Sequence, residues 1–64
     1  MTRKEVEALR EGADVIFKDS TFKEYRGEFV RYYPEFGYCK VQVQMAGRVK
    51  AVYIAPEDIV RVKE

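Results

Sequence analysis

Val49-Lys50-Ala51-Val52-Tyr53-Ile54-Ala55-Pro56-Glu57-Asp58-Ile59-Val60-Arg61-Val62 is the stretch whose reading decides the fold of this chain. Its first half is rich in β-branched and aromatic residues, which favour a pleated backbone. Pro56 fixes φ and removes an N–H that a sheet ladder needs, so the run breaks there. Ile59-Val60-Arg61-Val62 is a second, shorter β-rich run. The chain therefore finishes as a strand, one tight turn and a short last strand.

Upstream of that end, Tyr38 to Gln44 alternates with period two. Cys39, Val41 and Val43 fall on one face, and Tyr38, Lys40, Gln42 and Gln44 fall on the other. Met45-Ala46-Gly47 reads as a three-residue hairpin loop, a type I turn followed by Gly in the left-handed region. With Gln44 opposite Arg48, the cross-strand pairs are Val43 with Val49, Val41 with Ala51 and Cys39 with Tyr53, so the apolar faces coincide. The reverse face then carries Tyr38, Val52 and Ile54 at the hairpin base, an apolar patch that needs a cover. Val6 and Leu9 of an N-terminal helix suit that role, and so does a neighbouring subunit. Both hold if the helix is exchanged between chains.

The rest of the chain supplies three more elements. Gly27 to Tyr33 is the second strand, and its poor alternation over Phe29-Val30-Arg31-Tyr32-Tyr33 predicts a bend or a bulge. Pro34-Glu35-Phe36-Gly37 has turn composition. Asp14 to Lys18 is the first strand, followed by a polar loop over Asp19 to Tyr25 with two aromatics. Thr2 to Arg10 reads as a short helix with Thr2 as N-cap, Glu5 completing a capping box and Gly12 as the stop. A helix that short persists only by docking on something.

Composition removes several classes of function. Sixty-four residues are too few for a large buried active site, and 47% apolar against 36% charged residues describes an ordered globule. Twelve Lys and Arg against eleven Asp and Glu leave +1, so no overall field gathers nucleic acid or anionic membrane; such binding needs a local patch. The single Cys39 forms no internal disulfide, and no apolar run approaches a signal-peptide core or a membrane span. The expected setting is cytoplasmic and soluble, with no membrane partner.

Catalytic signals are missing. The chain has no His, which removes Ser-His and Cys-His nucleophiles and the commonest metal ligand. Cys39 sits at an inward strand position as a small hydrophobe, and Glu57-Asp58 lie in a turn. The positive signal is aromatic and basic interleaving around the hairpin of the second and third strands: Arg31, Tyr32, Tyr33, Phe36, Tyr38 and Lys40, with Arg48 and Lys50 on the next strand. Aromatic platforms flanked by cations hold single-stranded nucleic acid. The residues assigned to it are Arg31, Tyr32, Phe36, Lys40, Arg48 and Lys50. In so small a chain some of these rings must serve the core, and Lys or Arg on a strand exterior is also what solvation alone produces.

Arg26-Gly27-Glu28-Phe29-Val30-Arg31-Tyr32-Tyr33, Gly37-Tyr38 and Val52-Tyr53-Ile54-Ala55-Pro56 give the chain a resemblance to SH3-like barrels of two families. It resembles the KOW modules of transcription and ribosomal proteins in the glycine opening a bent second strand and in the short last strand led by a turn. That resemblance implies binding of RNA or a nucleoprotein. From Gly12 to Val62 it is also similar to plasmid-encoded type II dihydrofolate reductases, which implies a related subunit assembly around a central pore. Of that family's Val-Gln-Ile-Tyr-Pro strand it keeps the Val, Ile and Pro, with Tyr53 where Gln contacts pterin and nicotinamide and Ala55 where Tyr stands.

The expected architecture is mainly β: a five-stranded SH3-like barrel with a short N-terminal α-helix, one domain over 1–64 with the helix in 1–12 and the barrel in 13–64. The expected function is a non-enzymatic binding module for RNA, single-stranded DNA or a nucleoprotein complex, without catalytic residue, cofactor or metal. One alternative is a protein-interaction or self-assembling module, a homo-oligomer that uses Tyr38, Val52, Ile54, Val6 and Leu9. A type II dihydrofolate reductase-like enzyme is the remote alternative.

Overall fold

In the computed structural model, which describes residues 1–63, five antiparallel strands form one sheet in the order β4-β3-β2-β1-β5. Glu64, the last residue of the expected 1–64 domain, lies outside the described residues. The strands are β1 (Asp14–Lys18), β2 (Glu24–Tyr33), β3 (Tyr38–Met45), β4 (Arg48–Ile54) and β5 (Ile59–Val62). The fold is therefore mainly β, with one short α-helix, α1 (Arg3–Glu7). That helix is too short to cross a membrane.

Helix α1 starts as its sequence dictates. Glu5 N donates to Thr2 Oγ1 at 3.2 Å and Thr2 N donates to Glu5 Oε1 at 2.9 Å, a reciprocal capping box. These bonds hold the Glu5 carboxyl below its usual range. The helix stops at Glu7, short of the expected Arg10, because the next amides tighten to three-residue spacing: Ala8 N donates to Glu5 O and Leu9 N to Val6 O. Gly12, with φ +91°, lies beyond that turn and donates to Phe29 O at 2.7 Å, which ties the segment to β2. Val6 is fully buried and Leu9 packs beside it on the core.

The core lies on one face of the sheet, where Val15, Phe17, Phe29, Cys39, Val41, Val43 and Ile59 gather around Val6. Gly27 permits this packing. A Cβ there would collide with Val41 Cγ1 and fall 3.1 Å from Phe17 Cε1, so no other residue fits without displacing them. Ile16 is buried on the opposite face, paired with Arg26 on one side and Arg61 on the other. The stems of such side chains shield an apolar neighbour while their charges stay in water.

Two irregularities decide which side chains face outward. The bulge expected in the second strand is present: Phe29 pairs with Val41, the register shifts at Val30, and Arg31 pairs with Lys40. Beyond it Tyr32 lies opposite Cys39 on the core side, and Tyr33 lies opposite Tyr38 on the outer side.

The second irregularity corrects the expected hairpin. Met45 pairs with Arg48, leaving a loop of Ala46 at φ 50° and Gly47 at φ 77°. Two successive residues of positive φ make a turn of the primed kind, whose twist matches that of the strands. The expected three-residue loop with Gln44 opposite Arg48 does not form, and every pair moves by one: Gln44 with Val49, Val43 with Lys50, Gln42 with Ala51, Val41 with Val52, Lys40 with Tyr53 and Cys39 with Ile54. Strand β4 offers an apolar set on each face, so alternation alone fits either register. The observed one places the branched side chains of Val52 and Ile54 against the core and leaves Ala51 and Tyr53 exposed.

The last turn follows from Pro56. Pro56–Asp58 form a single turn of 3-10 helix with Pro56 buried, and Asp58 N donates to Ala55 O at 3.0 Å. Strand β5 then pairs with β1 and buries Ile59 completely.

Candidate functional site

The outer face of the sheet carries a run of aromatic rings at the end where β2, β3 and β4 meet the Pro34–Gly37 turn. The turn is closed by Tyr33 O, which accepts from Phe36 N at 3.1 Å and Gly37 N at 2.8 Å. Gly37 takes φ +75°, open to glycine at no steric cost. This geometry lays the Phe36 ring over Tyr38, with centroids 5.4 Å apart and planes within 9°. Tyr33 meets Tyr38 edge-on at 5.6 Å and Phe36 at 6.4 Å, and Tyr38 meets Tyr53 edge-on at 5.1 Å. Four rings are thus linked across three strands and a turn.

Ring pairs of this kind contribute about 0.5–1.5 kcal/mol each beyond area burial. The cluster therefore holds its own shape, while Phe36 remains 66% and Tyr53 56% exposed.

Two cations stand beside the rings. Arg31 places its guanidinium 5.0 Å from the Tyr33 ring centroid, and Lys40 is the cross-strand neighbour of both Arg31 and Tyr53. Among the described residues neither Arg31 nor Lys40 is in an ion pair, whereas Arg3, Arg26 and Arg61 are paired with Glu7, Asp14 and Glu24. Farther along the same face, Asp14, Arg26, Glu28, Gln42, Gln44 and Val49 line a shallow open groove of about 450 Å³. Its two carboxylates end the positive track, so the cationic part of the face is short.

Of the six residues assigned to nucleic acid from sequence, the structure brings together Arg31, Phe36 and Lys40. Tyr32 faces the core, with the Arg3 guanidinium 6.0 Å from its ring. Arg48 lies at the hairpin tip opposite Met45, and Lys50 lies opposite Val43, on the strand face away from Lys40. The exterior patch expected of Tyr38, Val52 and Ile54 does not form, because the one-residue change of register turns Val52 and Ile54 inward. Tyr38 alone of that trio faces out. Val6 lies within the core and Leu9 packs on it.

Sequence reasoning named Tyr33 in the interleaved run without assigning it to the ligand, and it missed Tyr53 altogether. Adjacent strand residues face opposite sides, so one of Tyr32 and Tyr33 must face outward, and the bulge ahead of them makes it Tyr33. Tyr53 was readable only from the turn type, through the pair Ala46-Gly47.

A separate exposed aromatic sits at the other end of β2. Asp19 Oδ1 accepts from Thr21 N at 2.8 Å, Thr21 Oγ1 at 2.6 Å and Lys23 N at 3.2 Å, and Oδ2 accepts from Tyr25 Oη at 3.0 Å. Hydrogen bonds from Thr21, then from Tyr25 and Lys23, lower the Asp19 carboxyl to about 2, and the same contact raises the Tyr25 phenol. The latched loop holds Phe22 at φ 62° and 75% exposed, with Lys18 Nζ 5.2 Å from its ring centroid. Cys39, by contrast, is sealed in: burial pushes its thiol up to about 11, so at neutral pH it is protonated and a poor nucleophile.

Compared with known protein families, with curated proteins and with solved structures, the chain matches none.

Proposed function

We propose that this chain is a small SH3-like barrel acting as a non-enzymatic module that binds single-stranded nucleic acid on its outer aromatic face. The observation that carries the reading is the linked run of Phe36, Tyr33, Tyr38 and Tyr53 with Arg31 and Lys40 beside it. The strand order and the turn led by Pro56 support the barrel label.

In this reading an unstacked base lies on the exposed Phe36 ring and a second lies against Tyr53, each contributing on the order of 1–3 kcal/mol. Arg31 and Lys40 neutralise the phosphates between them. Among the described residues Arg31 and Lys40 are the cations beside these rings, so the contact spans a few nucleotides and carries little sequence readout.

Fluorescence anisotropy with short labelled oligonucleotides tests it. Binding at low salt is expected, with a log–log salt slope of about −1.4 for two phosphate contacts on a single strand. Phe36→Ala weakens binding about 5- to 150-fold if its ring carries a stacked base. Replacing Arg31 and Lys40 together by Ala flattens the slope, while the same change at Arg48 and Lys50 leaves it unaltered. Absence of binding at low salt sinks the proposal.

A second reading, docking of a peptide on the same rings, is favoured by the smallness of the cationic patch, since Tyr-rich surfaces also recognise extended peptides. That mode differs in being nearly insensitive to salt.

A further inference from the structure

Strand β4 ends the sheet, and the hairpin turn dictates which of its backbone groups are free. In a two-residue hairpin closed by Met45 and Arg48, the residues Arg48, Lys50, Val52 and Ile54 exchange hydrogen bonds with β3. Val49, Ala51 and Tyr53 then direct their N–H and C=O groups away from the sheet. Among the described residues no strand pairs with that edge, and no other backbone hydrogen bond reaches it.

The side chains at these three positions are all apolar and all exposed, Val49 at 66% and Tyr53 at 56%. Soluble proteins usually blunt such an edge with charge, proline or a bulge. The register of β4 with β3 shows no bulge, and the strand contains no proline. Its two cations, Arg48 and Lys50, stand on the other face of the strand.

We infer that this edge pairs with the same edge of a second copy of the chain, antiparallel about a two-fold axis through Ala51. The strand is self-complementary in that one arrangement. Ala51 lies opposite the partner's Ala51, Val49 lies opposite the partner's Tyr53, and each of these pairs exchanges both of its hydrogen bonds. The exposed Val49 and Tyr53 side chains thereby become an apolar cross-strand pair, repeated by symmetry. On the other face Lys50 meets the partner's Val52 and Arg48 the partner's Ile54, so no like charges sit directly opposite. The inference rests on the strand edge and not on the ligand proposed above, although Tyr53 belongs to both surfaces.

Sedimentation of the whole chain from about 1 µM to 1 mM tests it, a range suited to an interface smaller than standard size. A reversible monomer–dimer equilibrium is expected, the dimer having twice the 7.5 kDa chain mass. Ala51→Pro removes the central free N–H without touching the bonds to β3, so it leaves a folded monomer by circular dichroism. A charge pair supplies a second measure. Val49→Lys combined with Tyr53→Lys sets lysine against lysine and abolishes the dimer, whereas Val49→Lys combined with Tyr53→Glu sets lysine against the partner's glutamate and restores it. A wild type that stays monomeric at 1 mM, a dimer that survives Ala51→Pro, or assemblies larger than a dimer formed by head-to-tail pairing of β4 with β5 would each overturn the inference.

Discussion

The inner and outer faces of the β2–β3–β4 segment are made by the same three strands, yet they serve different ends. The inner face is aliphatic and continuous: Phe29, Val41, Val43 and Cys39 are buried, and Val52 and Ile54 close over them. The outer face gathers Tyr33, Phe36, Tyr38 and Tyr53 at one end and leaves two of those rings more than half exposed. Folding requires the first arrangement. Folding gains less from the second, because the exposed area of Phe36 and Tyr53 returns little hydrophobic free energy. The contrast within Tyr32-Tyr33 is sharpest, since one bulge decides which of the two adjacent tyrosines faces the core.

If the division between faces is real, substitutions on the inner face act on stability and those on the outer face act on binding. The largest effect is expected at Phe29, where truncation to Ala costs about 3–5 kcal/mol, a large share of the roughly 3–10 kcal/mol available to a chain of this size. Urea denaturation reads it directly, and a cost below about 1 kcal/mol would mean Phe29 is not a core residue. Gly27→Ala comes next at about 1–3 kcal/mol, because the new Cβ meets Val41 and the Gln42 carbonyl. A neutral result there would show that β2 and β3 do not approach closely at Gly27.

On the outer face, Phe36→Ala costs at most about 1.5 kcal/mol of stability, the loss of ring pairing at an exposed site. A loss as large as that at Phe29 would move the ring into the core and erase the comparison.

The smallest effect concerns the Asp19 latch, which lies on neither face. Its folded carboxyl, at about 2, sits below the ordinary 3.8, so the hydrogen bonds contribute stability above that ordinary value and lose it as pH falls toward 2. Amide exchange at Thr21 and Lys23 therefore accelerates between about pH 4 and pH 2 relative to an Asp19→Ala control. Equal pH dependence in the two proteins would remove the latch.

Legibility of the sequence divides along the same line as the faces. The strand Tyr38 to Gln44 alternates without interruption, and its inward trio Cys39, Val41 and Val43 is buried as read. The capping box at Thr2 and Glu5, the first strand from Asp14 to Lys18 and the break at Pro56 are local signals too, each carried by residues a few positions apart.

The register of β4 was not legible from alternation, because Val49, Ala51 and Tyr53 form as good an apolar set as Val52 and Ile54. Only the turn separates them, and Ala46 at positive φ is an unusual residue for that place. The outer site inherited this ambiguity. Half its rings depend on the presence of a bulge ahead of Tyr32 and on how one turn closes, both settled by the twist and packing of the whole sheet.

The central claim is that the outer face holds the ligand, and amide and aromatic NMR shift mapping during titration with a short single-stranded oligonucleotide tests it most directly. The account predicts that the largest shifts fall on Arg31, Tyr33, Phe36, Tyr38, Lys40 and Tyr53, with Tyr32, Arg48 and Lys50 scarcely moving. Shifts concentrated on Arg48 and Lys50, on the Phe22 loop, or on no residue at all would contradict it.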